Sequence, residues 1–205
     1  SRAMSPGLFP GAIMAMSTAR RYSFEFFPTK TDAGHAKLLD VARELATYEP
    51  EFFSVTYGAG GSTRDRTLTT VLDLQREVGV PTAPHLSCVG DSRAALRELL
   101  VTYREAGIRQ IVALRGDLPS GMGFATGELR YANELVSFIR EETGDLFHIE
   151  VAAYPEMHPQ ARSFEDDLRH FVNKVKAGAN SAITQYFFNA DCYFHFVDRV
   201  RAMGV

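Results

Sequence analysis

The feature that most restricts the fold of this chain is a rhythm. Short β-rich runs alternate with helical patterns from Arg21 onward. The runs are Tyr22–Phe27, Phe52–Tyr57, Thr82–Cys88, Gln110–Leu114, His148–Tyr154 and Ala182–Phe188, and their starts recur roughly every 30 residues, the length of one strand-plus-helix unit. Between them, Leu38, Val41, Ala42 and Leu45 follow the i, i+3, i+4, i+7 spacing of an amphipathic helix, as do Leu168, Phe171, Val172 and Val175. Ser163, with Asp166 three residues later, predicts a capping box at the start of the fifth helix. Gly79, Gly107, Gly144, Gly178 and Gly204 stand where helical patterns stop, as suits the left-handed residue that closes a helix.

Such alternation implies a parallel sheet covered on both faces. An open doubly wound sheet and a closed (β/α)8 barrel both satisfy it. The GxGxxG fingerprint of the former is absent after the first run, where "FFPTKTD" stands instead. Polar residues instead mark the C-terminal end of nearly every run: Glu25, Thr56, His85, Arg115 with Asp117, Tyr154 and Gln185. A barrel draws its active site from many strand ends, whereas an open sheet concentrates it at one switch point. The predicted fold is therefore α/β, of the (β/α)8 TIM-barrel type, with about six of the eight units present. A whole barrel runs to about 250 residues. Six units leave two unpaired edges, which predicts either a piece of a longer protein or a homo-oligomer that covers the gap. Residues 1–21, broken by Pro6 and Pro10, read as a flexible leader, and residues 22–205 as a catalytic barrel domain that is incomplete at its C-terminus.

Composition narrows the function classes. A net charge of −3 and a pI near 6.1 offer no basic stripe for nucleic acid. No apolar run approaches the roughly 20 residues that span a bilayer, and the stretch from Gly11 to Met16 is shorter than the ~7–15-residue core of a signal peptide. Cys88 and Cys192 form no CxxC and have no zinc-like histidine spacing, so free thiols in a reducing cytoplasm are expected.

Within this frame, "SFEFFP" places Glu25 between two phenylalanines. Alternation sends Phe24 and Phe26 toward the helices and Glu25 into the barrel, near the mouth where Pro28 ends the strand. Apolar neighbours are expected to raise its pKa and make it a general acid. Pairing with an arginine of a neighbouring strand is the alternative, and the residues alone leave both open. In "IVALRGDLP", Arg115 and Asp117 flank Gly116 at a tight turn, either as site residues or as a structural pair. "SVTYGAGGSTRDRT" offers Gly58, Gly60 and Gly61 for close approach to a ligand and Ser62 or Thr63 as a helix cap, but lacks the GK[ST] of a P-loop. His85 in "TAPHLSC" reads by default as a core histidine. Glu156 and His158, two apart, are poorly spaced for joint metal binding, and no metal site is predicted.

Taken together, "YSFEFFPTK", "FFSVTYGAGGSTRDRT", "APHLSC", "IVALRGDLP", "VAAYPEMHP" and "KAGANSAITQYFF" resemble methylenetetrahydrofolate reductases of the bacterial type, in order from about Tyr22 to the C-terminus. The resemblance implies a cytoplasmic flavoprotein of one-carbon and methionine metabolism. Such an enzyme reduces 5,10-methylenetetrahydrofolate to 5-methyltetrahydrofolate with NADH or NADPH through bound FAD. It also implies roles. Glu25 matches the proton donor to the folate nitrogen, and Asp117 an acid that meets both pterin and flavin. Thr56 and Gln185 match contacts to nicotinamide or folate. Tyr57, Ala59, His85, Arg115, Gly116, Tyr154 and His158 match flavin contacts, as does Ala132. Asp167 and Lys174 match positions near the cofactor's ribose and phosphates. His170 and Asn173 depart from an expected Asn and Arg, and the missing Arg removes a phosphate donor. Two rivals remain. One is a truncated or degenerate barrel that binds flavin without folate turnover. The other is an aldolase-like lyase, which would need an inward lysine for a Schiff base; the six runs contain none.

Overall fold

Among the described residues, six parallel strands run in strict sequence order, β1 to β6, each paired with its immediate neighbours in the chain. The computed structural model describes residues 20–57, 61–116 and 128–205, so the greater part of the predicted leader lies outside it, as do Gly58, Ala59, Gly60 and Asp117. The strands are β1 (Ser23–Phe26), β2 (Phe52–Val55), β3 (Thr82–Ser87), β4 (Gln110–Leu114), β5 (His148–Ala153) and β6 (Ser181–Thr184). The helices between and after them are α1 (Asp32–Ala46), α2 (Gly61–Asp73), α3 (Arg93–Glu105), α4 (Ala132–Thr143), α5 (Phe164–Lys176) and α6 (Ala190–Ala202). The sheet curls into a partial α/β barrel of six units, as the alternation predicts.

Local chemistry explains where the helices start. The side chains of Thr31, Ser92, Ser163 and Asn189 each accept a backbone N–H of the first turn of α1, α3, α5 and α6. All five helix-end glycines adopt positive φ. Two expectations change. Helix α2 already begins at Gly61, so Ser62 and Thr63 fall inside its first turn rather than at the cap. On α1 the buried stripe is Leu38, Leu39 and Ala42, while Val41 is exposed. At 100° per residue Val41 lies on the far side of Leu38 from Ala42, and the sheet meets the helix on the Leu39 side.

Two apolar layers sandwich the sheet. The outer one packs Phe53, Val55, Leu86, Ile111, Ile149 and Val151 against helix residues such as Leu74, Leu96, Leu135 and Phe138. The inner one is small: Phe52, Ala83 and Val112, with Leu114 beside them. Burying each large side chain of the outer layer contributes about 1.5–3 kcal/mol, so the outer layer holds the fold and the inner wall is left for polar groups. Phe24 and Phe26 join the outer layer through Phe53, at ring distances of 6.3 and 5.1 Å. Glu25 is thereby turned to the inner wall.

Among the described residues, β1 and β6 each have one strand neighbour. Strand β3 is buried at all six positions, whereas Ala182 and Ile183 of β6 are exposed. An aromatic run follows β6, in which Tyr186 and Phe188 are 78% and 88% exposed. Unpaired edges were expected of a six-unit barrel, and they fall on β1 and β6.

Candidate active site

Because every strand is parallel, all the C-terminal ends emerge on one rim, and most of the singled-out polar residues lie there. Glu25 sits on β1 with its side chain half exposed. Its Oε2 approaches Nε2 of His85, on β3, to 3.3 Å. The angle is poor: His85 Nε2 is buried without a hydrogen bond of good geometry. Leaving such an atom unsatisfied costs about 1–3 kcal/mol, and Glu25 is the group within reach. The imidazole holds the Glu25 carboxyl below its ordinary value, outweighing burial, which acts upward. The expectation of a raised pKa is thus overturned. Sequence alternation correctly turns Glu25 inward, but the neighbour it finds there is a polar ring rather than a phenylalanine, and the partner is His85 rather than an arginine.

Next along the rim stands Gly116, just past β4, with φ +86°. A Cβ at this position would meet Ser87 Oγ at 2.0 Å, so the backbone here is bare for two independent reasons. Ser87 Oγ donates to the carbonyl of Arg115 at 2.9 Å, and the Arg115 guanidinium donates to Gln160 at 2.6 Å, tying β4 to the β5–α5 loop. Cys88, also aimed at the Arg115 carbonyl, is a free thiol that burial pushes up to about 11. Just past β2, the Thr56 carbonyl accepts from Thr67, and Tyr57 Oη donates to Asp91 at 2.8 Å.

A second polar group surrounds the start of α5. Tyr154 and His158 meet edge to face at 4.5 Å. The His158 N–H donates to Asp167 at 2.9 Å, and His158 Nδ1 accepts from the Gln160 N–H. Lys174 lies further along α5, with its ammonium on the Ala152 carbonyl and 5.5 Å from the Phe171 ring centre. Burial lowers its pKa to about 8, against an opposing pull from Asp167. Ala132 opens α4. Gln185 is placed at the exposed end of β6, where its N–H donates to the Ala153 carbonyl. One structural residue escaped the sequence reading: Glu156 Oε1 accepts from the N–H groups of Phe188 and Asn189, fixing the β6–α6 loop. In the sequence, its spacing to His158 signals only a poor metal pair.

The methylenetetrahydrofolate reductase family model matches residues 12–205. The chain belongs to the methylenetetrahydrofolate reductase family. The 5,10-methylenetetrahydrofolate reductase of Pectobacterium carotovorum is 47% identical over 183 residues, covering 89% of this chain and 60% of that protein. Methylenetetrahydrofolate reductase (NADH) 1 of Arabidopsis thaliana is 38% identical over 196 residues, covering 90% of this chain and 33% of that protein. The chain therefore spans about three-fifths of the bacterial relative and a third of the plant one. Among solved structures, a phosphonopyruvate hydrolase superposes with a TM-score of 0.61 at 12% identity, over 87% of this chain and 63% of that one, a likeness of fold alone. No helix among the described residues is long and apolar enough to cross a membrane.

Proposed function

We propose that residues 22–205 form the flavin-binding and proton-donating part of a reductase that converts 5,10-methylenetetrahydrofolate to 5-methyltetrahydrofolate with NADH or NADPH. The observation that carries this reading is an acid on the inner wall, Glu25, at the mouth of a barrel whose sequence belongs to this family. The residues on the rim fit FAD. Gly116 presents backbone with no room for a side chain, and Lys174 brings a cation beside Asp167. When bound, the flavin supplies the two-electron step between nicotinamide and folate.

The chain's own residues do the rest. Tyr57, Ala59, His85, Arg115, Gly116, Ala132, Tyr154 and His158 orient the ring system and ribityl chain. Asp167 takes a ribose hydroxyl and Lys174 a phosphate oxygen. Thr56, Asp117 and Gln185 position nicotinamide and folate in turn, and Glu25 gives its proton to the folate nitrogen. The name of the plant relative favours NADH as the reductant. We further assign residues 1–21 to a leader, the protein to the cytoplasm, and the working form to a homo-oligomer.

The test is spectroscopic. Purified protein mixed with FAD is expected to quench flavin fluorescence and to show a bound-flavin absorbance that NADH bleaches. Free-flavin fluorescence that persists at saturating protein, both in this chain and in a version extended to the length of the bacterial relatives, overturns the reading.

A further inference from the structure

Glu25, Ser54 and Ala83 lie in one row across β1, β2 and β3. Both neighbours are small and buried, so nothing on β2 blocks the Glu25 side chain from crossing toward β3. One pleat further along β3 stands His85, in register with Val112 on β4. We infer that His85 is the positioning residue of the proton donor: its imidazole draws the Glu25 carboxyl across β2, through the gap that Ser54 and Ala83 leave, and balances the carboxylate once the proton has gone. This rests on the proposed donor role of Glu25.

The surroundings leave each group with little choice of partner. Ser54 on β2 and Thr56 just past it are neutral, and Val112 and Leu114 on β4 are apolar. Glu150 on β5, in register with Val112, is engaged by Gln110 at 3.1 Å and His148 at 3.2 Å. His85 Nε2 has Glu25 Oε2 at 3.3 Å and no other polar contact among the described residues. The direction of the Glu25 shift agrees, since the imidazole prevails over burial. In the donating step the O–H bond of Glu25 breaks and an N–H bond forms on the acceptor. The electron pair stays on the carboxylate, beside His85 Nε2, and hydronium or a buffer acid reaching the half-exposed mouth returns the next proton. A carboxyl held this way carries its proton for a smaller fraction of the time than one surrounded by apolar groups, but it gives that proton up more readily and from a fixed direction.

The experiment is a carbon-13 titration of the Glu25 carboxyl in this chain, with His85→Leu and His85→Gln beside the parent. The Glu25 midpoint is expected to move to higher pH in His85→Leu and to stay close to the parent in His85→Gln, which keeps an N–H donor. One midpoint common to all three overturns the inference. If His85→Leu fails to fold, the nitrogen-15 signal of His85 Nε2 decides: in the parent it should step at the Glu25 midpoint, and in Glu25→Gln that step should vanish. No step in the parent also overturns the pairing. If the coupling is present but Glu25→Gln leaves folate reduction intact in the extended version, the donor reading falls and the positioning role falls with it.

Discussion

The two ends of the rim each hold an ionisable group pulled below its ordinary pKa, and for opposite reasons. On the β1–β3 wall, Glu25 is lowered because a partner, His85, favours its charged form. On the α5 wall, Lys174 is lowered because burial disfavours its charged form. A shift of the same sign therefore marks a satisfied charge at one end and a penalised one at the other. Their effects on stability run in contrary directions with pH. A lowered carboxyl contributes stability above its unfolded value of 4.5 and loses it as pH falls through the folded value. Solvent damps that contribution because Glu25 is half exposed. A lowered lysine carries its full penalty below about 8, and the penalty is relieved as pH climbs toward 10.5.

The largest expected effect breaks the first wall by chemistry alone. Glu25→Gln in the extended version should reduce folate turnover by roughly 10²–10⁴-fold while leaving NADH-dependent flavin reduction near the parent rate. Stopped-flow measurement of the two half-reactions checks this, and equal loss in both would remove Glu25 from the donor role. On the second wall, the shift from 10.5 to about 8 corresponds to roughly 3 kcal/mol of penalty at neutral pH. Lys174→Met should recover part of it, since the bond to the Ala152 carbonyl is lost as well, and should flatten the rise in stability between pH 8 and 10.5. Urea unfolding at pH 7 and pH 10 measures both. An anion bound at Lys174 would reverse the lysine's preference. Binding of ADP, as a fragment of the cofactor, is therefore expected to take up a proton near pH 8.5 and to weaken at higher pH, which calorimetry in two buffers reads out.

Gly116→Ala lies between the walls and should disturb both. It places a non-glycine residue at positive φ and drives a Cβ into Ser87 Oγ, for a loss of about 2 kcal/mol together with weaker flavin binding. The smallest effect belongs to the open edge. Ile183→Lys should change unfolding free energy by less than about 0.5 kcal/mol, because the side chain is already exposed. It should nonetheless lower concentration-dependent association, seen by sedimentation. A large stability loss would mean that Ile183 is covered in the assembled protein.

Much of this molecule is legible in the linear sequence, and the boundary has a physical basis. Strand and helix positions follow from periodicities of two and 3.6, which are local, and the caps at Ser163 and the glycine stops are local too. The inward aim of Glu25 follows from the same alternation. What the spacing does not carry is contact between strands. Val41 is misplaced because the angle at which α1 meets the sheet is a tertiary matter. The Glu25–His85 pair depends on which residues of β2 and β3 are small, and Ser54 and Ala83 are its trace in the sequence, legible only across strands. Asp167 was placed by resemblance, but its bond to the His158 N–H joins segments nine residues apart through a loop whose path no periodicity describes.

The sequential strand order has a consequence for how the protein comes to be folded. From β2 to β6, each strand finds a partner in the unit made just before it. Loop closures therefore stay short, and the sheet can grow by accretion in the order in which a ribosome delivers it. Such a sheet has a direction in time. Strands β2 to β5, clasped on both sides, should exchange their amide hydrogens slowest. Strand β6, with one neighbour among the described strands and exposed Ala182 and Ile183, should open before them in this chain.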